Sequence, residues 1–254
     1  MAEIIPAILE KNYNEIKNKL TFLRGRAKCV QLDFCDGIFV HNQTWPFATG
    51  GFNDYDFQKI LNEEEGLPFW EEFDFEFDLM VDNAVENFDI YMKLGPKRMI
   101  FHLRGEKQVK EFEHFLEGLD MYVRDNVEIG VAVEPEGGLP VALEFANSVA
   151  TRLSNKVDFI QCMGIDNVGF QNQEFNPKVL ENINILKNNF PGLVVTVDGG
   201  INLGNAEALL KAGADRLTIG SAIWKSGDPV GALQDFQSLL DGLPYSNGTR
   251  TLSK

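Results

Sequence analysis

Two short segments late in the sequence carry the residue types needed to hold a phosphate. VTVDGGI contains Gly199 and Gly200, and LTIGSAIW contains Gly220 and Ser221. Glycine lets a backbone approach an anion closely, because no Cβ obstructs the approach or restricts φ. Ser221 opens a predicted short helical turn whose free N–H groups point outward. Two ordinary glycine turns are the plain alternative. Their spacing across the single amphipathic segment NAEALLKAGAD favours a shared anion site.

The elements that position these turns repeat along the chain. Eight β-rich runs can be read, at 4–9, 29–34, 75–81, 98–103, 127–133, 157–163, 193–199 and 215–220. Amphipathic stretches such as NAVENFDIYMKLG, KQVKEFEHFLEGL, KVLENINILKNNF and NAEALLKAG separate most of them, with apolar residues returning every third or fourth position. Strand alternating with helix means a parallel sheet, and eight such units in 254 residues predict an α/β fold closed into a (β/α)8 TIM barrel rather than an open doubly wound sheet. In such a barrel the loops after strands seven and eight commonly grip a phosphate, and those are the two glycine segments. Residues 1–243 are read as one domain and the polar residues 244–254 as a frayed tail. The irregular connection 43–73 is long, aromatic and acidic, with room for one short helix. Its Trp45, Phe47, Phe52, Tyr55 and Trp70 either pack onto the barrel, cover the site or form an oligomer contact.

Composition narrows the partners. The chain has 23 basic and 38 acidic residues, a net charge of -15, which repels nucleic acid and anionic membrane surfaces. It also repels any anionic substrate at long range, so capture must rest on local N–H groups. The three cysteines, Cys29, Cys35 and Cys162, show no paired metal or redox spacing, which points to a reducing cytoplasmic setting. The N-terminus lacks the pattern of an export signal, and no apolar run approaches the ~18 residues of a membrane span.

The order of motifs resembles the ribulose-phosphate 3-epimerase family. IIPAIL resembles its opening strand, VQLDFCDGIFVHN its second-strand signature, FEFDLMV its third strand and MIFHL its fourth; VDFIQCMGIDNVGFQNQEF resembles the sixth strand and its loop, with VDGGI and IGSAIW completing the series. The resemblance implies inversion of the carbon beside a ketone through an enediolate, with Asp33 and Asp198 as the acid/base pair on opposite sides of a barrel mouth. Each also has a plain reading, Asp33 as a loop anchor and Asp198 as a cap of the next turn. Asp36 is expected to hold the loop after Asp33. Gly169 joins the phosphate group, and His102 and Met163 the substrate-binding group.

Departures from the family concern the metal. Gln31 and Asp78 stand where two ligand histidines are expected, so Gln31, Asp33, Asp78 and Asp198 would form an all-oxygen site suited to magnesium or manganese before zinc, or would work with no metal. Without a cation the clustered carboxylates raise at least one pKa, leaving one acid and one base. Ala7 replaces a serine and Cys35 a methionine. The sixth loop keeps Gly169, Phe170 and Gln173 but loses paired glycines. His114 is read as a surface residue, while His41, after strand two, is a weak ligand candidate. The resemblance implies an isomerase of pentose phosphate metabolism that takes a small phosphosugar and forms homo-oligomers in its relatives. The alternatives are an isomerase or aldolase-like enzyme for another phosphosugar, or a catalytically silent barrel that binds a phosphometabolite.

Overall fold

The computed structural model describes residues 2–135, 152–153, 156–171 and 173–242. Eight strands, β1 (Glu3–Ile8), β2 (Cys29–Cys35), β3 (Asp74–Met80), β4 (Arg98–His102), β5 (Glu128–Val133), β6 (Phe159–Met163), β7 (Val194–Asp198) and β8 (Arg216–Ile219), lie within two residues of the runs read from the sequence. They close into a parallel barrel in chain order, β8 pairing back onto β1. A strand's period of two sorts the side chains. On β2, Val30, Leu32 and Phe34 join the apolar layer beneath the helices, while Gln31 and Asp33 face the polar groups of the interior.

The floor of the barrel is ionic. Arg98 lies 3.0 Å from Glu3 and 3.5 Å from the fully buried Glu76, and Arg216 lies 2.7 Å from Glu128. Above it, Phe159, Met163, Ile100, Met80 and Cys35 form an apolar plug. The polar residues of the site therefore sit at the C-terminal strand ends, where the barrel opens.

Among the described residues the helices are α1 (Tyr13–Leu23), α2 (Tyr55–Leu61), α3 (Phe88–Met92), α4 (Gly105–Gly118), α5 (Met121–Asn126), α6 (Val179–Asn189), α7 (Leu203–Ala212), α8 (Ser221–Trp224) and α9 (Pro229–Gly242). Their starts follow local chemistry. Asn12 caps α1 by accepting from the Glu15 N–H, and Asn202 and Asn205 form a reciprocal capping box on α7. The amphipathic pattern of 83–95 is realised as helix only over α3, because Asn83 adopts a left-handed φ of 58° and the residues after it form turns.

The 43–73 connection contains α2 and two short 3-10 turns. Trp45 and Phe57 are buried, and Phe47 and Phe52 pack against the same core, whereas Tyr55 and Trp70 are exposed. Trp45 Nε1 donates to Asp54 Oδ1 at 2.9 Å, and that oxygen also accepts from the Phe57 N–H. Most of these aromatics thus pack onto the barrel. The expected polar tail at 244–254 lies outside the described residues.

Candidate active site

One cavity at the C-terminal strand ends collects residues from β1, β2, β3, β6, β7 and β8 and the loops that follow them. Asp33, Asp78, Met163, Asp198, Gly169, Gly199, Gly200, Gly220 and Ser221 all line it. It has two chemically different ends.

At one end stand the carboxylates. Register places Asp33 beside Asp78 on adjacent strands, and Asp198 reaches in from β7. The three bring carboxylate oxygens within 4.8 Å of one another. Gln31 lies beneath them, its Nε2 donating to Asp33 Oδ1 at 2.7 Å and to Asp198 Oδ2 at 2.9 Å. Asp78 is held from behind by His102 Nε2 at 2.7 Å and by Gln161 Nε2 at 3.4 Å.

Burial pushes Asp33 well above the ordinary carboxylate range, reinforced by the charges of Asp198 and Asp78. Burial likewise pushes Asp198 up to about 7, with Asp78 adding to the rise and the Gln31 hydrogen bond opposing it. For His102, burial works against the charged form, yet the Asp78 carboxylate outweighs it and the imidazole is raised. The arrangement can hold a proton on one of two facing carboxylates and leave the other ionised.

The donor set also suits a hard cation. Three carboxylates supply charge, and Gln31 Oε1 is buried without a hydrogen-bond partner. As placed, Gln31 turns its Nε2 toward Asp33 and Asp198, so its Oε1 would face a cation only with the amide turned over.

At the other end are the glycine turns. Gly199 and Gly200 have φ of 100° and 67°, values that favour glycine, and a Cβ on Gly200 would sit 2.8 Å from the Phe175 Cα. Gly169 adopts φ 84° against Val40, and its carbonyl accepts from Asn42 Nδ2 at 2.8 Å. Gly220 precedes α8, which Ser221 opens.

The remaining candidates fall outside the cavity. His102, expected to bind substrate, does not line the cavity; it is buried behind Asp78 and hydrogen-bonded to it. His41 and His114 are exposed. Asp36 does hold the loop after β2: Oδ1 accepts from the N–H groups of Ile38 and Phe39, and Oδ2 from that of Asp82. The cavity lining includes none of residues 43–73.

Sequence reasoning passed over Thr218, Gln161 and Gln171. Thr218 and Gln161 lie two positions before Gly220 and Met163, so strict alternation along the strand could have found them. Gln171 sits in a loop, where no period applies.

The fold and this site define a (β/α)8 barrel with a carboxylate cluster at one end of its cavity and glycine turns at the other. The chain belongs to the ribulose-phosphate 3-epimerase family, whose model, described as "Ribulose-phosphate 3 epimerase family", matches residues 3–224. It is 22% identical over 242 residues to the cytoplasmic isoform of ribulose-phosphate 3-epimerase from Oryza sativa subsp. japonica, covering 95% of each chain. It is 25% identical over 245 residues to the ribulose-phosphate 3-epimerase of Aquifex aeolicus, covering 94% of this chain and 97% of that one. The solved 3-hexulose-6-phosphate synthase of Salmonella typhimurium shares the fold, with a TM-score of 0.61, 14% identity, and coverage of 94% of this chain and 98% of that one. The family is one of isomerases, and this chain is a divergent member. Among the described residues no helix is long and apolar enough to cross a membrane.

Proposed function

We propose that this chain interconverts D-ribulose 5-phosphate and D-xylulose 5-phosphate by inverting the carbon next to the ketone. The observation that carries the reading is the pair Asp33 and Asp198, both raised, on β2 and β7 of one cavity that glycine turns also line. The ionised member takes the proton from the carbon beside the ketone, leaving an enediolate. The protonated member then delivers its proton to the opposite face, so the pair ends the turnover with its roles exchanged and its total charge unchanged.

Asp78 and Gln31 support this exchange. Gln31 shares its amide hydrogens between the two acid/base groups, holding both oxygens toward the cavity. Asp33, Asp78 and Asp198 would hold a divalent metal, magnesium or manganese before zinc, with Gln31 joining them through its amide oxygen once its hydrogen bonds to the two aspartates are given up. When bound, it supplies Lewis-acid stabilisation of the enediolate's charge. Gly199, Gly200, Gly220, Ser221 and Gly169 bind the phosphate of the sugar, and Met163 packs beside the reacting carbons. His102 serves by orienting Asp78. The relatives' printed names support the substrate choice, and their match over nearly the whole chain supports its transfer to this chain.

A coupled assay on ribulose 5-phosphate tests the proposal. Asp33→Asn and Asp198→Asn should each lower turnover by roughly 10²–10⁴-fold while inorganic phosphate still binds. Turnover that survives either substitution sinks the acid/base assignment. A second reading, an isomerase or aldolase-like enzyme for a different phosphosugar, is favoured by the all-oxygen cluster built with Gln31 and Asp78. It predicts turnover of that other sugar and loss in the same two variants.

A further inference from the structure

We infer that the side-chain amide of Gln171 is a phosphate-binding donor, a specificity-setting group in the loop after β6; this inference rests on the phosphate reading of the glycine turns. Gln171 lines the same cavity as Gly199, Gly200, Gly220 and Ser221. Its Nε2 is buried and has no hydrogen-bond partner among the described residues. A Cβ built on Gly220 would lie 2.8 Å from that nitrogen, so the amide rests in the space left by the missing side chain of Gly220.

A second donor in the cavity has the same deficit. Thr218, 1% exposed and two positions before Gly220, also lines the cavity, and its Oγ1 is buried without a partner. A buried donor without an acceptor is costly in a folded protein and calls for an explanation. None of the cavity's carboxylates bonds Gln171 or Thr218: Asp33 and Asp198 accept from Gln31, and Asp78 pairs with His102 and Gln161. What these two donors lack is an acceptor, and a phosphate group consists of acceptors.

Charge supports the same choice. Among the described residues the lining includes no Lys or Arg, and the chain carries a net charge of -15. An anion must therefore be held by neutral donors, each hydrogen bond being strengthened by the anion's own charge. The segment that presents Gln171 is anchored two residues earlier, where Gly169 packs on Val40 and accepts from Asn42.

The test is calorimetric titration of inorganic phosphate into the full-length wild type, Q171A and Q171E, with steady-state kinetics on ribulose 5-phosphate and a thermal midpoint for each protein to establish folding. Q171A should weaken phosphate binding about tenfold, the scale of one hydrogen bond to a charged group. It should raise KM similarly with kcat little changed, as expected for uniform binding. Q171E keeps the shape, replaces the donor by a negative charge and should weaken binding further. Unchanged binding in Q171A overturns the inference, and so does tighter binding, which would mean that the amide obstructs the cradle. A wild type that binds no phosphate overturns the phosphate reading and this inference with it. Phosphate binding lost in Q171A from a wild type with no epimerase turnover leaves the inference standing and removes the epimerase reading alone.

Discussion

Asp198→Asn should separate stability from activity. In the folded chain Asp198 rises from an ordinary 3.8 to about 7, burial first and the charge of Asp78 second. Between those values the folded state holds a proton that the unfolded chain releases. Stability of the metal-free protein is therefore fully present below pH 3.8, falls as pH rises through this window, and is lowest above about 7. At 1.36 kcal/mol per unit, the displacement amounts to roughly 4 kcal/mol at most. An amide has no ionised form and escapes that cost, but it weakens the charge-assisted bond from Gln31 Nε2, worth roughly 1–2 kcal/mol. The net expectation at pH 8 in chelator is a gain of about 2 kcal/mol, or about 4–8 °C in the thermal midpoint. Turnover should fall by at least about 10²-fold in the same variant. Added manganese should raise the wild-type midpoint more than the variant's, since the variant lacks one carboxylate. A variant that melts at or below the wild-type temperature in chelator at pH 8 would refute the burial-and-repulsion account of Asp198.

Three further outcomes follow from individual contacts. His102→Ala removes the hydrogen bond that orients Asp78 and should weaken manganese binding about 10-fold or more; His102→Gln should restore part of that affinity, as read by titration of the metal. Gly200→Ala forces an alanine to φ 67° with its Cβ 2.8 Å from the Phe175 Cα, and should cost about 2–3 kcal/mol in urea unfolding and weaken phosphate binding. Trp45→Phe loses the donor to Asp54 Oδ1 and should cost about 1–2 kcal/mol of stability, with KM unchanged because residues 43–73 do not line the cavity.

Much of this architecture is legible in the chain. The strands read correctly because a period of two is written into them locally, as in Val30, Leu32 and Phe34 set against Gln31 and Asp33. Gly199 and Gly200 read as a glycine turn because they are adjacent residues with one shared freedom, and both adopt a positive φ; Asp36 reads as a loop anchor because its partners Ile38 and Phe39 are near neighbours in sequence. The helix predicted over 83–95 fell short because one residue, Asn83, adopted a conformation that amphipathic spacing does not encode. Gln171 was passed over for a related reason: a loop side chain has no periodicity, and its significance lies in Gly220, which the chain places far from it.

The sequence by itself determined the alternation of strand and helix, the sorting of apolar and polar faces, and the glycine turns, since each depends on residues a few positions apart. Only the tertiary structure decided which polar side chains meet. Gln31 bridges to Asp198 across 167 positions, and His102 reaches Asp78 across 24. Those distances collapse because barrel closure brings the strand ends into one ring, where the raised values of Asp33 and Asp198 arise from burial and from carboxylates supplied by other strands.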